Sequence, residues 1–391
     1  MEHARTNGPG DGRLWPNDEQ ELLLQSALAP DDRAVAAFTE WCGRVNIDEA
    51  LGWASLRLLP LVYSKQLRNH VNAALMGRLK GVYRRAWYET HTLFQRVAPT
   101  VAALHDAGVP VLLLKGTPLV LAYYRNHAHR PMSDVDICVS HADAERAIQV
   151  VTSLGWTPTS VSTGDRLRFF HALQFIHPDG GELDLHWHVM VETQDDSLDD
   201  LFWAATEALD FLGTPTRMLA PTEQFLHTIL HGMRWNEETP VRWIPDALTI
   251  LYTRADAIDW DRFVTMAKRL KVCLRIRIAI DYLTRVHDAK VPSHVLSALF
   301  SERQTLVERI EASVILHDER RWQRNVWLYH WSILADLARK VDPGVSLLRF
   351  LRTYPHYLRF RLDLSGRREL IAFVFRAVGR RVLGRSRRQL A

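Results

Sequence analysis

Two aspartates stand two residues apart at the start of a short apolar run: Asp134 and Asp136 are followed by Ile137, Cys138 and Val139. If this run is a β-strand, alternation of its side chains places both carboxylates on the same face. Neighbouring carboxylates repel each other unless a cation lies between them. The pair therefore predicts a strand with a Mg²⁺ site on one face, and Mg²⁺ sites of this kind usually handle phosphates.

The alternative for this segment is a capped strand end without a metal. In that interpretation Asp134 is a turn residue and Asp136 faces solvent from the strand. The apolar residues after Asp136 instead favour a buried strand, and a carboxylate that is buried there needs a partner.

The composition is that of a globular protein with room for a sizeable core. The chain has 391 residues, 47% of them hydrophobic, which suits one large domain or a few small ones. No apolar stretch reaches the length of a membrane span, and the polar residues 1–11 lack the apolar core of a signal peptide. The three cysteines are far apart and fit neither a disulfide framework nor a zinc spacing, which favours a cytoplasmic protein. The net charge of +4 is too small to argue for nucleic-acid binding.

Helical periodicity brackets a short unit that contains strand-like runs. Residues 1–17 lack apolar periodicity and are expected to be disordered. Residues 18–108 and 216–340 show the three-to-four spacing of helices, whereas 109–215 alternate short apolar runs with turn signals, and 341–391 form a basic amphipathic segment. The predicted fold class is α+β, with a small mixed sheet and flanking helices embedded between two helical regions.

The individual elements can also be placed. In the central unit we predict strands at 109–114, 134–139, 168–177 and 182–189, with helices at 118–125 and 141–154. Outside it we predict helices at 76–107, 224–233, 241–252, 260–270 and 274–286, and Gly108 as the end of the first of these.

A glycine-containing turn follows the first predicted strand. Gly116 would let a phosphate approach the backbone, and Thr117 with Pro118 would start a helix whose N-terminal N–H groups attract anions. Lys115 adds a mobile cation, although a glycine at such a position is often only turn geometry. Arg130, in the loop before the aspartates, would neutralise charge on a transferred group or be an ordinary surface arginine.

A later strand carries Asp184, His186 and His188 on one face. If it lies beside the Asp134 strand, three carboxylates can hold two Mg²⁺ ions about 3.5–4 Å apart. One ion would organise a triphosphate and the other would lower the pKa of an attacking hydroxyl. A zinc site ranks lower, because no further Cys or His at useful spacing supports it. His186 is expected to hydrogen-bond the carboxylates or the substrate, and His188 to lie at the rim.

Polar residues on the helices after the central unit have two interpretations. His227 and His231 share a face of a predicted helix, where they would contact an acceptor or pack between the helical and α/β parts. Asp246 is expected to form a structural ion pair with Arg242 or Arg234.

These residues together resemble the nucleotidyltransferase-fold superfamily of polymerase-beta-like enzymes. Its pattern is a strand, a glycine-containing turn and helix, an Asp-x-Asp strand, and a third aspartate on a later strand. More narrowly, the chain resembles a bacterial group of uncharacterised nucleotidyltransferases from about residue 20 to about residue 290. The motifs that carry this resemblance are Leu114–Gly116, Tyr123-Tyr124, Arg130–Asp136 and Asp184–Trp187, with His227-x-x-x-His231 and Arg242–Asp246 downstream.

The resemblance implies an enzyme that uses Mg²⁺, or alternatively Mn²⁺, to move a nucleoside monophosphate from an NTP to an acceptor hydroxyl or phosphate. It implies metal-binding and catalytic roles for Asp134, Asp136 and Asp184. The superfamily has Gly-Ser at the turn, so the Thr117 hydroxyl or the Lys115 charge would replace the contact of that serine with phosphate. The nucleotide contacts are assigned to Lys115, Gly116, Thr117 and Arg130, and acceptor or supporting contacts to Tyr124, His186, His188, His227, His231 and Arg242.

The acceptor itself is not specified by any motif. A small molecule, a peptide or a protein is expected, with nucleic acid disfavoured but open. The alternatives to this function are a catalytically inactive nucleotide-binding or scaffold protein of the same fold, and another phosphoryl-transfer enzyme.

The arginine-rich segment 367–388 also contains apolar residues at intervals. It would lie on an anionic membrane surface, bind nucleic acid or an acidic partner, or form a packed terminal helix with a basic end. The expected location is the cytoplasm. If the segment binds an anionic membrane surface, the protein would also make peripheral contact with the inner face of the membrane.

Overall fold

The structure is a computed structural model that describes residues 15–46, 51–65, 73–160, 167, 170–193, 196–234, 240–316 and 366–373. Helices precede and follow a seven-stranded mixed sheet, which confirms the predicted α+β class. Most of the segment 1–17 and most of 341–391 lie outside the described residues. None of the helices in the described ranges combines the length and apolar character that crossing a bilayer requires.

The region before the sheet consists of short helices and one long one. The helices are α1 (Asp18–Leu28), α2 (Asp31–Arg44), α3 (Trp53–Leu56), α4 (Leu59–Ser64) and α5 (Ala73–Asp106). A capping box starts α1, because Asn17 and Gln20 each accept a hydrogen bond from the backbone N–H of the other. Gly108 follows α5 with φ +69°, so a left-handed residue that glycine adopts without strain ends the long helix as predicted.

The sheet forms around the two strands that carry aspartates. The strands are β1 (Leu112–Leu113), β2 (Asp134–Cys138), β3 (Thr157–Pro158), β4 (Ala172–Ile176), β5 (Glu182–His186), β6 (Thr206–Phe211) and β7 (Thr214–Leu219). Their order across the sheet is β3-β4-β5-β2-β1-β7-β6. β2 pairs in parallel with β5 and antiparallel with β1, and β1 pairs in parallel with β7.

The hairpin β6–β7 is a strand pair that the sequence pattern did not predict. Leu212 and Gly213 both have positive φ, +51° and +92°, which is the backbone of a two-residue hairpin turn. Exposed positions alternate with buried or partly buried ones along both strands, and polar residues interrupt the apolar ones, so neither strand shows a strong apolar run. The sheet therefore continues to Leu219, beyond the expected end of the α/β unit at 215.

The remaining helices complete the fold. They are α6 (Gly116–Pro118), which continues as a π-helical turn at Leu119–Tyr124, α7 (Ala144–Ser153), α8 (Asp196–Ala204), α9 (Pro221–Gly232), α10 (Trp243–Arg254), α11 (Trp260–Arg269), α12 (Cys273–His287), α13 (Ser293–Phe300) and α14 (Leu306–Leu316). Helices α9 to α12 match the four helices predicted after residue 220.

Two apolar clusters lie on opposite faces of the sheet. On one face Val135, Ile137, Leu183 and Leu185 pack with apolar residues of α5 and α7. The second cluster joins α1, α2 and α4 to α9–α13. The aspartate-bearing face of β2 and β5 therefore turns towards the helical region, where polar side chains can meet between sheet and helices.

We predict that Gly232→Ala destabilises the fold strongly. A Cβ at Gly232 in α9 would lie 2.0 Å from Trp243 Cβ and 2.2 Å from Trp243 Cγ, and these atoms are held close to the α10 backbone. Overpacking of this kind costs on the order of 3 kcal/mol of unfolding free energy. Chemical denaturation measures it, with Gly81→Ala as the matched control. Gly81 in α5 has no atom within 4 Å of the added Cβ, so Gly81→Ala should raise the free energy of unfolding by about 0.5–1 kcal/mol. Equal stabilities for the two variants would contradict the close contact.

Candidate active site

The carboxylates of Asp136 and Asp184 lie side by side on adjacent strands. β2 and β5 run parallel with Asp136 directly opposite Asp184 in the register, so both side chains emerge on the same face of the sheet. His186 Nε2 lies 3.1 Å from Asp136 Oδ1, and both residues are only 2% exposed. The structure thus brings together the two sequence motifs that contribute acids, separated by nearly fifty residues.

The ammonium group of Lys115 lies between these two carboxylates. It forms an ion pair with Asp136 Oδ1, and its Nζ is 3.8 Å from Asp184 Oδ2. Burial would lower the pKa of Lys115, but the charges of Asp136, Asp184 and Asp134 outweigh burial and raise it. Lys115 adopts φ +50°, an uncommon conformation for a residue with a Cβ. A cation is therefore already stable at the position between the two acids.

Asp184 is poised between protonated and charged forms. Burial, and then the charge of Asp136, raises its pKa to about 7. Its Oδ1 is buried and has no hydrogen-bond partner among the described residues. A buried carboxylate oxygen without a donor is costly, and a divalent ion would satisfy it.

The donor set at this position fits a metal ion. Asp136, Asp184 and His186 each offer a ligand atom, and these three atoms lie within 4.8 Å of one another. Burial, and then the charge of Lys115, lowers the pKa of His186 well below its usual value, so the imidazole is neutral and can ligate. Two carboxylates and one imidazole are a donor set that can bind a divalent cation.

Asp134 lies on the same face of β2 but nearer the rim. It is partly exposed, and its Oδ1 accepts a hydrogen bond of 3.2 Å from Ser133 Oγ. It is not part of the close group of three. The three predicted carboxylates thus lie on one face of the sheet. Asp136 and Asp184 are adjacent, and the residue that completes their close group is His186 rather than Asp134.

The glycine turn differs from the phosphate cradle that the sequence predicts. Thr117 is fully buried and its Oγ1 has no hydrogen-bond partner within the described part of the chain. A Cβ at Gly116 would lie 2.0 Å from Arg130 Nη1 and 2.3 Å from Met132 Sδ. The side chains of Arg130 and Met132 therefore occupy the space beside this glycine and would have to shift for a larger residue. The helical segment that follows has only three residues before the π-helical turn.

Arg130 is held by Asp246 from α10. Its Nε donates to both carboxylate oxygens, at 3.1 and 3.0 Å, and Tyr124 Oη donates to Asp246 Oδ1 at 3.0 Å. The expected pairing of Asp246 with Arg242 or Arg234 is wrong. The loop before β2 places Arg130 against Asp246, and Arg130 forms the ion pair instead. Tyr124 and Asp246 therefore hold Arg130 in place at the edge of the site.

A cavity of about 390 Å³ opens beside the acids. The sheet side of its lining includes Lys115, Gly116, Asp134 and Asp136, and the helical side includes Arg57, His227, His231, Arg234 and Arg242. This volume is within the range of ligand pockets in proteins. Sheet and helices thus form one cavity, with the acids on one side and most of the cationic groups on the other.

The two histidines of α9 differ in exposure. His227 is buried, whereas His231 is exposed, and their ring centroids are 6.0 Å apart. Burial, and then the charge of Lys115, lowers the pKa of His227 to about 3, so this imidazole is neutral at the edge of the cavity. Both residues line the cavity as an acceptor contact would require, but His227 also serves the packing of α9.

His188 is a predicted site residue that lies away from the paired acids. Its Nδ1 is 3.6 Å from Asp199 Oδ2, and its ring stacks on His141 at a centroid distance of 5.2 Å. It does not line the cavity. Arg57 does line it, and sequence reasoning missed this residue because a single arginine in a helical region carries no motif.

A mixed sheet with paired aspartates on neighbouring parallel strands, preceded by a strand and a glycine turn, defines a protein of the nucleotidyltransferase-fold class. The chain belongs to the family described as uncharacterised nucleotidyltransferase, whose model matches residues 45–287. It is also similar to a solved structure, an antigenic nucleotidyltransferase-like protein from Paracoccidioides brasiliensis. That similarity has 15% sequence identity and a TM-score of 0.34, and it covers 55% of this chain and 99% of the other. No curated protein matches the chain.

Proposed function

We propose that the protein is a divalent-metal-dependent nucleotidyltransferase that moves a nucleoside monophosphate from an NTP to an acceptor hydroxyl or phosphate. The observation that carries this proposal is the register of Asp136 with Asp184, which sets one buried and one partly buried carboxylate around one cation position. The cavity beside them is lined by arginines, as a polyphosphate substrate requires. The acceptor is a small molecule, a peptide or a protein that enters the same cavity.

The metal ion in this proposal is held by Asp136 and Asp184, with His186 or Asp134 as a further ligand. Mg²⁺ is the preferred ion and Mn²⁺ the alternative. When bound, such an ion stabilises charge on the transferred group and lowers the pKa of the attacking hydroxyl. Lys115 competes with the ion for the same carboxylate oxygens, so loading of the site requires this ammonium to give up at least one of them.

A second candidate is a nucleotide-binding protein without catalysis. The observation that favours it is the ion pair of Lys115 with Asp136, because an internal ammonium can neutralise the acids with no metal at all. A third reading, transfer of the terminal phosphoryl group, would use the same acids and arginines. Nucleotidyl transfer breaks the bond after the α-phosphate and phosphoryl transfer breaks the bond before the γ-phosphate, whereas the binding protein breaks neither.

The test incubates the protein with Mg²⁺ and a labelled NTP and follows where the label goes. Fractions of a metabolite and protein extract are added as the source of the acceptor. We expect label at the α-phosphate to appear on an acceptor, with release of pyrophosphate, and expect EDTA to stop both. Label transferred from the γ-phosphate instead would indicate a phosphoryl-transfer enzyme. Nucleotide binding that EDTA leaves unchanged, without any transfer, would favour the non-catalytic candidate.

A further inference from the structure

Most cationic side chains that line the cavity are neutralised by a carboxylate of the protein. Lys115 pairs with Asp136, and Arg130 with Asp246. Arg234 pairs with Glu192, a partly buried residue that Arg275 also contacts at 2.6 Å. These groups are committed to protein partners, which limits their capacity to bind a further anion.

Arg242 is different. Its Nη1 donates to the carbonyl oxygen of Pro131 at 2.9 Å, and within the described ranges no carboxylate forms an ion pair with it. Burial, and then the like charges of Arg130 and Arg57, lowers the pKa of Arg242 to about 9. A guanidinium has five N–H donors, and a single carbonyl uses few of them. The charges of Asp246 and Asp134 offset this lowering of the pKa only in part, so Arg242 keeps N–H donors that no carboxylate of the described residues pairs with directly.

The residues at the glycine turn are poorly placed for a polyphosphate. Thr117 is buried away from the cavity with its hydroxyl unpartnered, and the ammonium of Lys115 lies on the acids. An anion in the cavity therefore needs another cationic group within reach.

We propose that Arg242, with Arg57 nearby, forms an anion subsite that binds the triphosphate tail of the nucleotide. This proposal rests on the nucleotidyltransferase function proposed above and assigns Arg242 to the nucleotide, where sequence reasoning had given it an acceptor or supporting contact. The planar guanidinium suits phosphate oxygens, which it can bind in pairs.

The position of this subsite fits such a tail. Arg242 stands immediately before α10, and its hydrogen bond to Pro131 ties it to the loop that leads into Asp134. The guanidinium of Arg57 lies 4.9 Å from the ring centroid of Trp53, a cation–π contact that restricts its side chain. Both arginines line the same cavity as Asp134 and Asp136, so phosphates held by them would lie beside the acids.

The test measures binding of inorganic tripolyphosphate to the full chain by calorimetry. EDTA is present throughout, so that no metal ion contributes to binding. Wild type should bind it, and Arg242→Met should weaken binding roughly tenfold to a hundredfold, the effect of lost charge-assisted hydrogen bonds. Arg242→Lys should recover part of the affinity, because lysine keeps the charge without the paired geometry. Arg254→Met, at the other end of α10 and paired with Glu207, is the matched control and should bind as wild type does.

Equal binding by wild type and Arg242→Met, or no binding by wild type, would overturn the subsite. Should Arg242→Met fail to fold, Arg57→Met is the second variant, and it should weaken binding several-fold. In the label-transfer assay, a raised KM for the acceptor with an unchanged KM for the NTP would also overturn it, by placing Arg242 on the acceptor. Absence of α-label transfer by wild type would refute the enzymatic function alone, since tripolyphosphate binding is read without turnover.

Discussion

Alanine in place of Asp136 is expected to abolish nucleotidyl transfer, with kcat/KM falling by ~10³-fold or more. Asp136 is the acid that both Lys115 and His186 contact, and it lies opposite Asp184 in the sheet. Its removal takes away one of the two adjacent carboxylates and leaves Lys115 with Asp184 alone at 3.8 Å. The metal-dependent part of NTP affinity should be lost together with turnover.

The control for this variant is Glu145→Gln, which also removes one acid. Glu145 is exposed on α7, and α7 packs on the opposite face of the sheet, so transfer and NTP affinity should both stay at the wild-type level. Calorimetry of NTP binding with and without Mg²⁺ and initial rates of label transfer provide the two measurements. If Asp136→Ala binds Mg·NTP as tightly as wild type, the acids are not the metal site.

The second large effect concerns stability. Asp246→Asn should lower the free energy of unfolding by about 3–5 kcal/mol, the usual cost of leaving a buried charge without its partner. Arg130 is 9% exposed and donates to both oxygens of Asp246. An amide offers one acceptor oxygen and no charge, so the guanidinium would remain buried beside Arg242. Urea denaturation followed by circular dichroism measures this change.

Two controls separate the buried pair from salt bridges in general. The double variant Arg130→Met with Asp246→Leu removes both charges and should recover much of the loss, because apolar residues often replace a buried pair without cost. Asp281→Asn removes a partner from the exposed pair with Arg285 and should change stability little. A loss from Asp281→Asn as large as that from Asp246→Asn would show that burial is not the cause.

The parts of the site that sequence could predict are those that local periodicity determines. The alternation of β2 and β5 placed Asp134, Asp136 and Asp184 on one face, and the structure has them there. The family resemblance led to the same strands, and the family match covers them. Helices α9 to α12 were equally visible, since long amphipathic segments carry a strong periodic signal.

What sequence reasoning missed depends on tertiary contacts. The partner of Arg130 lies 116 residues away, and several acids were equally plausible from the sequence alone. Thr117 looked like a replacement for a phosphate-binding serine, but packing buries it. The hairpin β6–β7 has weak apolar alternation. Its strands are defined by pairing with each other, and β7 also by pairing with β1, rather than by their own pattern.

The ion pair of Arg130 with Asp246 also affects when the cavity can form during synthesis of the chain. The strands with the acids leave the ribosome well before α10, so the loop before β2 must wait for 116 further residues before its arginine is neutralised. Contacts of such long sequence separation form late and slowly in folding. The cavity, which needs α3, β2 and α10 together, cannot be complete on a nascent chain that lacks α10. Nucleotide binding would therefore report that the helical regions have docked on the sheet.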